Sequence, residues 1–198
     1  RIDTRATRVI LLEGGPRVLP SFPPELSERA RQDLTALGVE VRTGTFVTGI
    51  DADSVHIGDE RIATHTVLWA AGNAASPLAR SLDGPLDPVG RLKVARDLSV
   101  PGHPEIFVAG DLAAFPRPGG ALVPGVAPAA NQEGRAAAKN ILRAARGDAT
   151  AEFVYHDKGN LATIGRHRAV AQFGSLNVSG PFAWLLWLFV HILYLAGF

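Results

Sequence analysis

The stretch that most limits the possible folds lies near the start of the chain. Val9-Ile10-Leu11-Leu12 is an apolar run that stops at Glu13-Gly14-Gly15. A short unbroken apolar run ending in a turn signal reads as a buried strand of a parallel sheet. Parallel neighbours need a crossover between them, and a helical pattern follows. In PELSERARQDLTALG, Leu26, Ala30, Leu34 and Leu37 recur at three- and four-residue spacing, with Pro24 near the start and Gly38 at the end. Val39 to Val41 then begins a second strand. The reading is an α/β chain. From Phe46 to Ala71 the pattern alternates around turns at Asp51 to Ser54 and at Gly58-Asp59, which predicts antiparallel strands. The last of them ends in TVLWAAG, Thr66 to Gly72. A helix–strand–strand series of this kind is the second part of a nucleotide-binding α/β domain. Its phosphate-binding glycine loop should precede the acidic strand end by about 20 residues, a count that runs past Arg1. The loop is therefore expected upstream.

Farther along, Arg91 to Val94 and Glu105 to Gly110 read as strands joined by a Pro/Gly turn at Pro101 to Pro104, the second ending in IFVAGD. A proline-rich loop (Pro116, Pro118, Gly119, Gly120, Pro124) leads to a helix from about Ala129 to Ala145, closed by Gly147. Past Ala149 the texture changes. FVYHDKGNLATIGR and RAVAQFGSLNVSG read as a hairpin-like pair forming a separate small unit, and the chain ends in PFAWLLWLFVHILYLAGF.

Composition removes several function classes. Lysine and arginine total 20 against 19 acidic residues, a net charge of +1 with no basic block, which argues against nucleic-acid binding. There is no cysteine, so disulfides, thiolate metal sites and cysteine redox chemistry are excluded, as suits an intracellular protein. The six histidines do not cluster with carboxylates at ligand spacing, so no metal site is expected. His167, beside arginines, reads as surface. A hydrophobic share of 46% is high for a soluble domain, and much of that excess lies in the last eighteen residues. There, Trp184, Trp187, His191 and Tyr194 share one helical face, a pattern that suits the headgroup boundary of a bilayer. The apolar stretch of about seventeen residues is at the low limit for a spanning helix. A helix buried in a homodimer interface is the alternative.

Three segments go beyond pattern: TVLWAAG, GRLKVARDLSVPGHPEIFVAGDLA and APAANQEGRAAAKNI. In order and spacing they resemble the second half of the type II NADH dehydrogenase family, flavoproteins with two dinucleotide-binding domains. The tail, from YHDKGNLATIGRHRAVAQFG to SGPFAWLLWLFVHILYLAGF, is similar to that family's C-terminal membrane-binding part. The resemblance implies a Rossmann-like disulfide-reductase fold divided into residues 1–80 (second part of an NADH domain), 81–150 (C-terminal part of an FAD domain) and 151–198 (quinone and membrane module). It implies FAD and NADH as cofactors, a quinone as acceptor without proton pumping, and a membrane lipid surface, on the cytoplasmic face of a bacterial inner membrane.

It also assigns roles residue by residue. At its strand end Glu13 would accept hydrogen bonds from the adenosine ribose and repel a 2′-phosphate, favouring NADH over NADPH. Ala71 and Gly72, with Ala70, would lie beside the nicotinamide nucleotide. Gly110 lets the backbone approach FAD, Asp111 binds a ribityl hydroxyl, and Ala130 lies against the flavin. Pro128, Ala129 and Gln132 resemble the family's quinone motif, which usually carries glutamine or a similar residue where this chain has Pro128. Lys158 and Leu161 belong to the segment brought up to the quinone, where an ammonium would stabilise developing negative charge or relay a proton. Two other readings compete. Sulfide:quinone oxidoreductases share the architecture but use cysteines, which this chain lacks. A non-enzymatic remnant that binds a membrane or partner is the other.

Overall fold

The computed structural model describes residues 7–72 and 74–195, so the last three residues of the apolar tail and the first six of the chain lie outside it. Strand β1 (Val9–Glu13) pairs in parallel with β2 (Val39–Thr43), Val9 opposite Val39 and Glu13 opposite Thr43. Between them runs α1 (Pro24–Ala36), opened by a proline whose missing N–H would be unsatisfied anyway and followed by Gly38 at φ 87°. Its fully buried residues are Leu26, Ser27, Ala30 and Asp33, and Leu34 packs half-buried against the same cluster, so three of the four expected positions face the core while Leu37 is 51% exposed. The two buried polar residues on this face have partners. The Ser27 hydroxyl donates to the Leu19 carbonyl at 3.0 Å, and the Asp33 carboxylate accepts from Arg29 Nε at 3.2 Å.

Strands β3 (Gly49–Ile50), β4 (Ser54–Ile57) and β5 (Glu60–Ala63) form the expected antiparallel meander. The strand read at Thr66–Gly72 does not form. A strand exists by hydrogen-bonding a neighbour, and none of the described strands pairs with this run, which leaves Leu68 90% and Trp69 65% exposed.

Strand β6 (Leu92–Lys93) is shorter than the sequence suggests. β7 (Ser99–Val100) and β8 (His103–Phe107) make a hairpin over Pro101-Gly102, so β8 begins and ends earlier than Glu105–Gly110. β9 (Ala113–Ala114) returns to pair with β6 in parallel. Helix α2 (Ala127–Ala145) starts two residues before the expected Ala129, with Pro128 in its first turn, and Gly147 follows its end at φ 79°. Leu92, Leu98, Val100, Val108, Phe115 and Phe153 form the core here, the two phenylalanines edge to face at 5.0 Å.

Strands β10 (Asn160–Gly165), β11 (Arg168–Phe173) and β12 (Leu176–Ser179) build a three-stranded antiparallel sheet in place of the expected hairpin pair. They are not a separate unit. Val170, in the central strand, is fully buried with Val18, Phe22, Leu26 and Ala30 around α1. Helix α3 (Pro181–Leu195) covers the sheet, its Ala183 packed on Ala169 and Ala171. Contacts group the chain into two compact units, residues 1–69 with 159–198, and residues 70–158, where the sequence suggested divisions at 80 and 150. No described helix is long and apolar enough to cross a membrane.

Candidate functional site

Beyond β8 the chain enters a 3-10 turn at Gly110–Leu112. Gly110 sits at φ 71°, a left-handed conformation that glycine adopts freely, and a Cβ there would lie 3.4 Å from Ala130 Cβ. The Gly110 N–H donates to Glu133 Oε2 at 2.5 Å. On the other side of the turn, a Cβ at Gly125 would lie 3.2 Å from Asp111 Oδ1, so the bare backbone there lets the start of α2 approach the Asp111 carboxylate. Asp111 is exposed and makes no hydrogen bond to a described residue. Arg91, Gly110, Asp111, Gly125, Ala130 and Glu133 all line one open pocket of about 220 Å³.

Two pocket residues escaped the sequence reading. Glu133 is 2% exposed. Burial pushes its pKa up and the Asp111 charge adds to that, against the Gly110 hydrogen bond. The available signal was its spacing: Ala129, Glu133, Ala137 and Asn140 form one buried stripe on α2. An acid in such a stripe needs a polar partner. Arg91 is fixed by Asp87, whose carboxylate accepts from Arg91 Nε at 2.7 Å and from the Arg91 and Val89 N–H groups. Burial opposes the Asp87 charge, but these donors hold its pKa below the ordinary carboxylate range.

The expected quinone residues are not all free surface. Ala129 is buried in the core and Pro128 is half-buried. The Gln132 amide donates to the Pro128 carbonyl at 3.1 Å and the His156 carbonyl at 3.0 Å, while its oxygen accepts the His156 N–H at 3.0 Å. Both amide hydrogens are therefore taken. Eight residues on, Asn140 does the same to Ala151, donating to its carbonyl and accepting from its N–H, each at 2.9 Å. Lys158 is exposed. Leu161 packs against the cluster of Ala169, Ala171 and Ala183.

Glu13 turns one carboxylate oxygen back to accept the Gly15 N–H at 2.6 Å. Ala71 and Gly72 are exposed in irregular backbone, Gly72 at φ 107°. Along α3 the expected stripe is not the most open side. Trp184 is half-buried and lies against His167, centroids 4.6 Å apart, and Trp187 stacks with His191 at 4.2 Å. His167 itself is exposed, as read from the sequence. Tyr194 is exposed, but the continuous open apolar line is Phe182, Leu185, Phe189 and Ile192.

A family model for pyridine nucleotide-disulphide oxidoreductases matches residues 3–134. The chain belongs to that family. Within it, the chain is 42% identical to the type II NADH:quinone oxidoreductase Ndh of Mycobacterium tuberculosis, an alignment covering 100% of this chain and 44% of that protein. It is 33% identical to the type II NADH:quinone oxidoreductase of Haemophilus influenzae, over 92% of this chain and 43% of the relative. The chain thus spans less than half the length of these relatives. Its fold matches the structure of NDH2 from Plasmodium falciparum in complex with NADH, with a TM-score of 0.78 at 19% identity, covering 94% of this chain and 54% of the other. An FAD-dependent pyridine nucleotide-disulphide oxidoreductase from Desulfovibrio vulgaris matches with a TM-score of 0.59 at 26% identity, over 83% and 42% of the two chains.

Proposed function

We propose that this chain works within an FAD-dependent enzyme that passes electrons from NADH to a membrane quinone without pumping protons. The observation that carries the reading is the Gly110–Asp111 turn, where bare backbone and an unpartnered carboxylate face a pocket beside the start of α2. That donor set fits FAD: a polyol hydroxyl finds an acceptor in Asp111, and Gly110, Gly125 and Ala130 leave room for a flat ring to approach. The positive end of the α2 dipole favours electron-rich atoms there. FAD itself would supply hydride acceptance and electron delivery; the protein binds and orients. At about 220 Å³ the pocket falls below the roughly 300–1,000 Å³ of a complete small-molecule site, so other parts of the protein would complete the cofactor's enclosure.

For NADH, Glu13 would offer the ribose the carboxylate oxygen that the Gly15 N–H leaves free, with Ala71 and Gly72 giving the nicotinamide side close backbone. For the quinone, Lys158 would supply the mobile cationic donor. Gln132 would reach a quinone carbonyl only by releasing Pro128 or His156, and Leu161 would contribute apolar surface. The open side of α3 would seat the enzyme on the cytoplasmic face of a bacterial inner membrane, lying on the bilayer without crossing it. A homodimer burying the same helix is the competing occupant of that face.

The test is reconstitution of the intact protein. Purified with FAD, it should show NADH-dependent bleaching of the flavin band and reoxidation by a water-soluble quinone, and Asp111→Ala should lose FAD on desalting. A protein whose flavin is not reduced by NADH, or whose reduced flavin ignores quinone, would refute the reading.

A further inference from the structure

Glu133 is a buried ionisable group with no part in the chemistry assigned above. It sits on α2 in the stripe that contains Ala129, Ala137 and Asn140, and its only described hydrogen-bond partner is the N–H of Gly110. A carboxyl is a costly choice for this position, since an alanine-rich stripe would pack without it and burial disfavours its charge. What it gains is control of one backbone group. Gly110 sits in the left-handed region, and no other interaction among the described residues takes up its N–H. Free of that tether, a glycine has the widest choice of backbone conformation of any residue, and Asp111 follows it directly.

We propose that Glu133 is a positioning residue: by accepting the Gly110 N–H it fixes the turn that presents the Asp111 carboxylate to the ribityl chain of FAD. This rests on the FAD reading above. The charged groups facing Glu133 agree with a positioning role over a proton-transfer one. Asp111 lies across the turn, Arg91 lines the same pocket but is held by Asp87, and Tyr155, on the segment running along α2, is the remaining neighbour. None of these donates a hydrogen bond to Glu133.

The experiment uses the intact enzyme and three substitutions. Glu133→Gln keeps the length and an acceptor oxygen. Glu133→Leu keeps the volume without an acceptor. Glu133→Asp shortens the reach by one methylene. FAD dissociation constants from titration of the apoprotein should be within about twofold of wild type for E133Q and raised at least about tenfold for E133L and E133D. Hydrogen exchange at the Gly110 amide in the FAD-free protein should speed up in E133L and E133D and stay slow in E133Q. Circular dichroism and thermal melts check that each variant is folded. Space-filling alone predicts the opposite order, with E133L near wild type. Equal FAD affinity and equal Gly110 exchange in wild type and E133L would overturn the proposal while Asp111→Ala still weakens FAD. A wild type that binds no FAD would bring down the FAD reading and this proposal together.

Discussion

The side chain of Gln132 bonds to both polar groups of the His156 backbone, donating to its carbonyl and accepting from its N–H at 3.0 Å each. With the same arrangement between Asn140 and Ala151, α2 presents two amides to residues 151–156 much as a neighbouring strand would. With the Phe153 N–H bonded to the Arg96 carbonyl at 2.8 Å, these side chains hold a segment that belongs to none of the described strands.

Gln132→Ala should therefore weaken the fold before it weakens any chemistry. Three hydrogen bonds at roughly 0.5–1.5 kcal/mol each, partly recovered by water, put the loss at about 1–3 kcal/mol in urea unfolding of the intact protein. Gln132→Glu should be no better, because it turns a carboxylate on the Pro128 and His156 carbonyls. If Gln132→Ala unfolds like wild type but reoxidises slowly with quinone, the amide serves the acceptor and not the backbone.

Asn140 is more deeply buried, and its Nδ2 reaches both the Asp97 and Ala151 carbonyls at 2.9 Å. Asn140→Ala leaves three backbone groups short of a partner, so the expected cost is larger, about 2–4 kcal/mol by the same unfolding measurement. A loss under about 1 kcal/mol would mean that water replaces the side chain.

The raised pKa of Glu133 makes stability depend on pH in a definite direction. Its folded-state pKa lies above its unfolded value, so the neutral form is favoured in the fold. That contribution is fully present below the unfolded pKa and is lost as pH rises through the folded one. Glu133→Gln cannot ionise. Its melting temperature should nearly match wild type at about pH 4 and exceed it increasingly toward about pH 8. A constant difference across that range would show that Glu133 does not titrate with folding.

On α3 the two faces should separate by substitution. Phe189→Glu, on the open line, should release the intact protein from lipid vesicles in a flotation assay without lowering its melting temperature. Trp184→Ala, against the sheet, should lower the melting temperature while leaving vesicle binding in place. The reverse pattern would restore the tryptophan face as the lipid surface.

Glu13→Ala in the intact enzyme should weaken NADH by roughly 1–3 kcal/mol, the scale of a lost charge-assisted hydrogen bond, and reduce discrimination against NADPH. Because the Gly15 N–H also loses its acceptor, Glu13→Gln should hold the turn yet still admit NADPH. An unchanged ratio of kcat/KM for the two nucleotides would confine Glu13 to the turn.

The sequence was legible where local periodicity and burial agree. β1, α1, β2 and α2 lie within two residues of where spacing, Pro24, Gly38 and Gly147 put them, and the turn at Gly110-Asp111 was visible as a motif. It failed where the decisive contact is distant in the chain. Thr66–Gly72 has the composition of a strand, but none of the described strands pairs with it. The α3 stripe was read from residue type, yet aromaticity does not say which side meets the sheet; small Ala183 does, by letting Ala169 and Ala171 come close. Glu133 and Arg91 stayed hidden because their meaning depends on Gly110, 23 residues before Glu133, and on the closeness of Asp87.

The unpaired run at Thr66–Gly72 has a spectroscopic consequence. The chain contains three tryptophans, and two of them, Trp184 and Trp187, are each covered by an imidazole ring. Trp69, carried by the run, stands open to solvent. Its emission should be red-shifted and readily quenched by iodide, against a shielded background from the other two. Whatever strand docks beside Leu68 would darken the quenching curve of a single indole, so assembly around this segment is readable as a change in light.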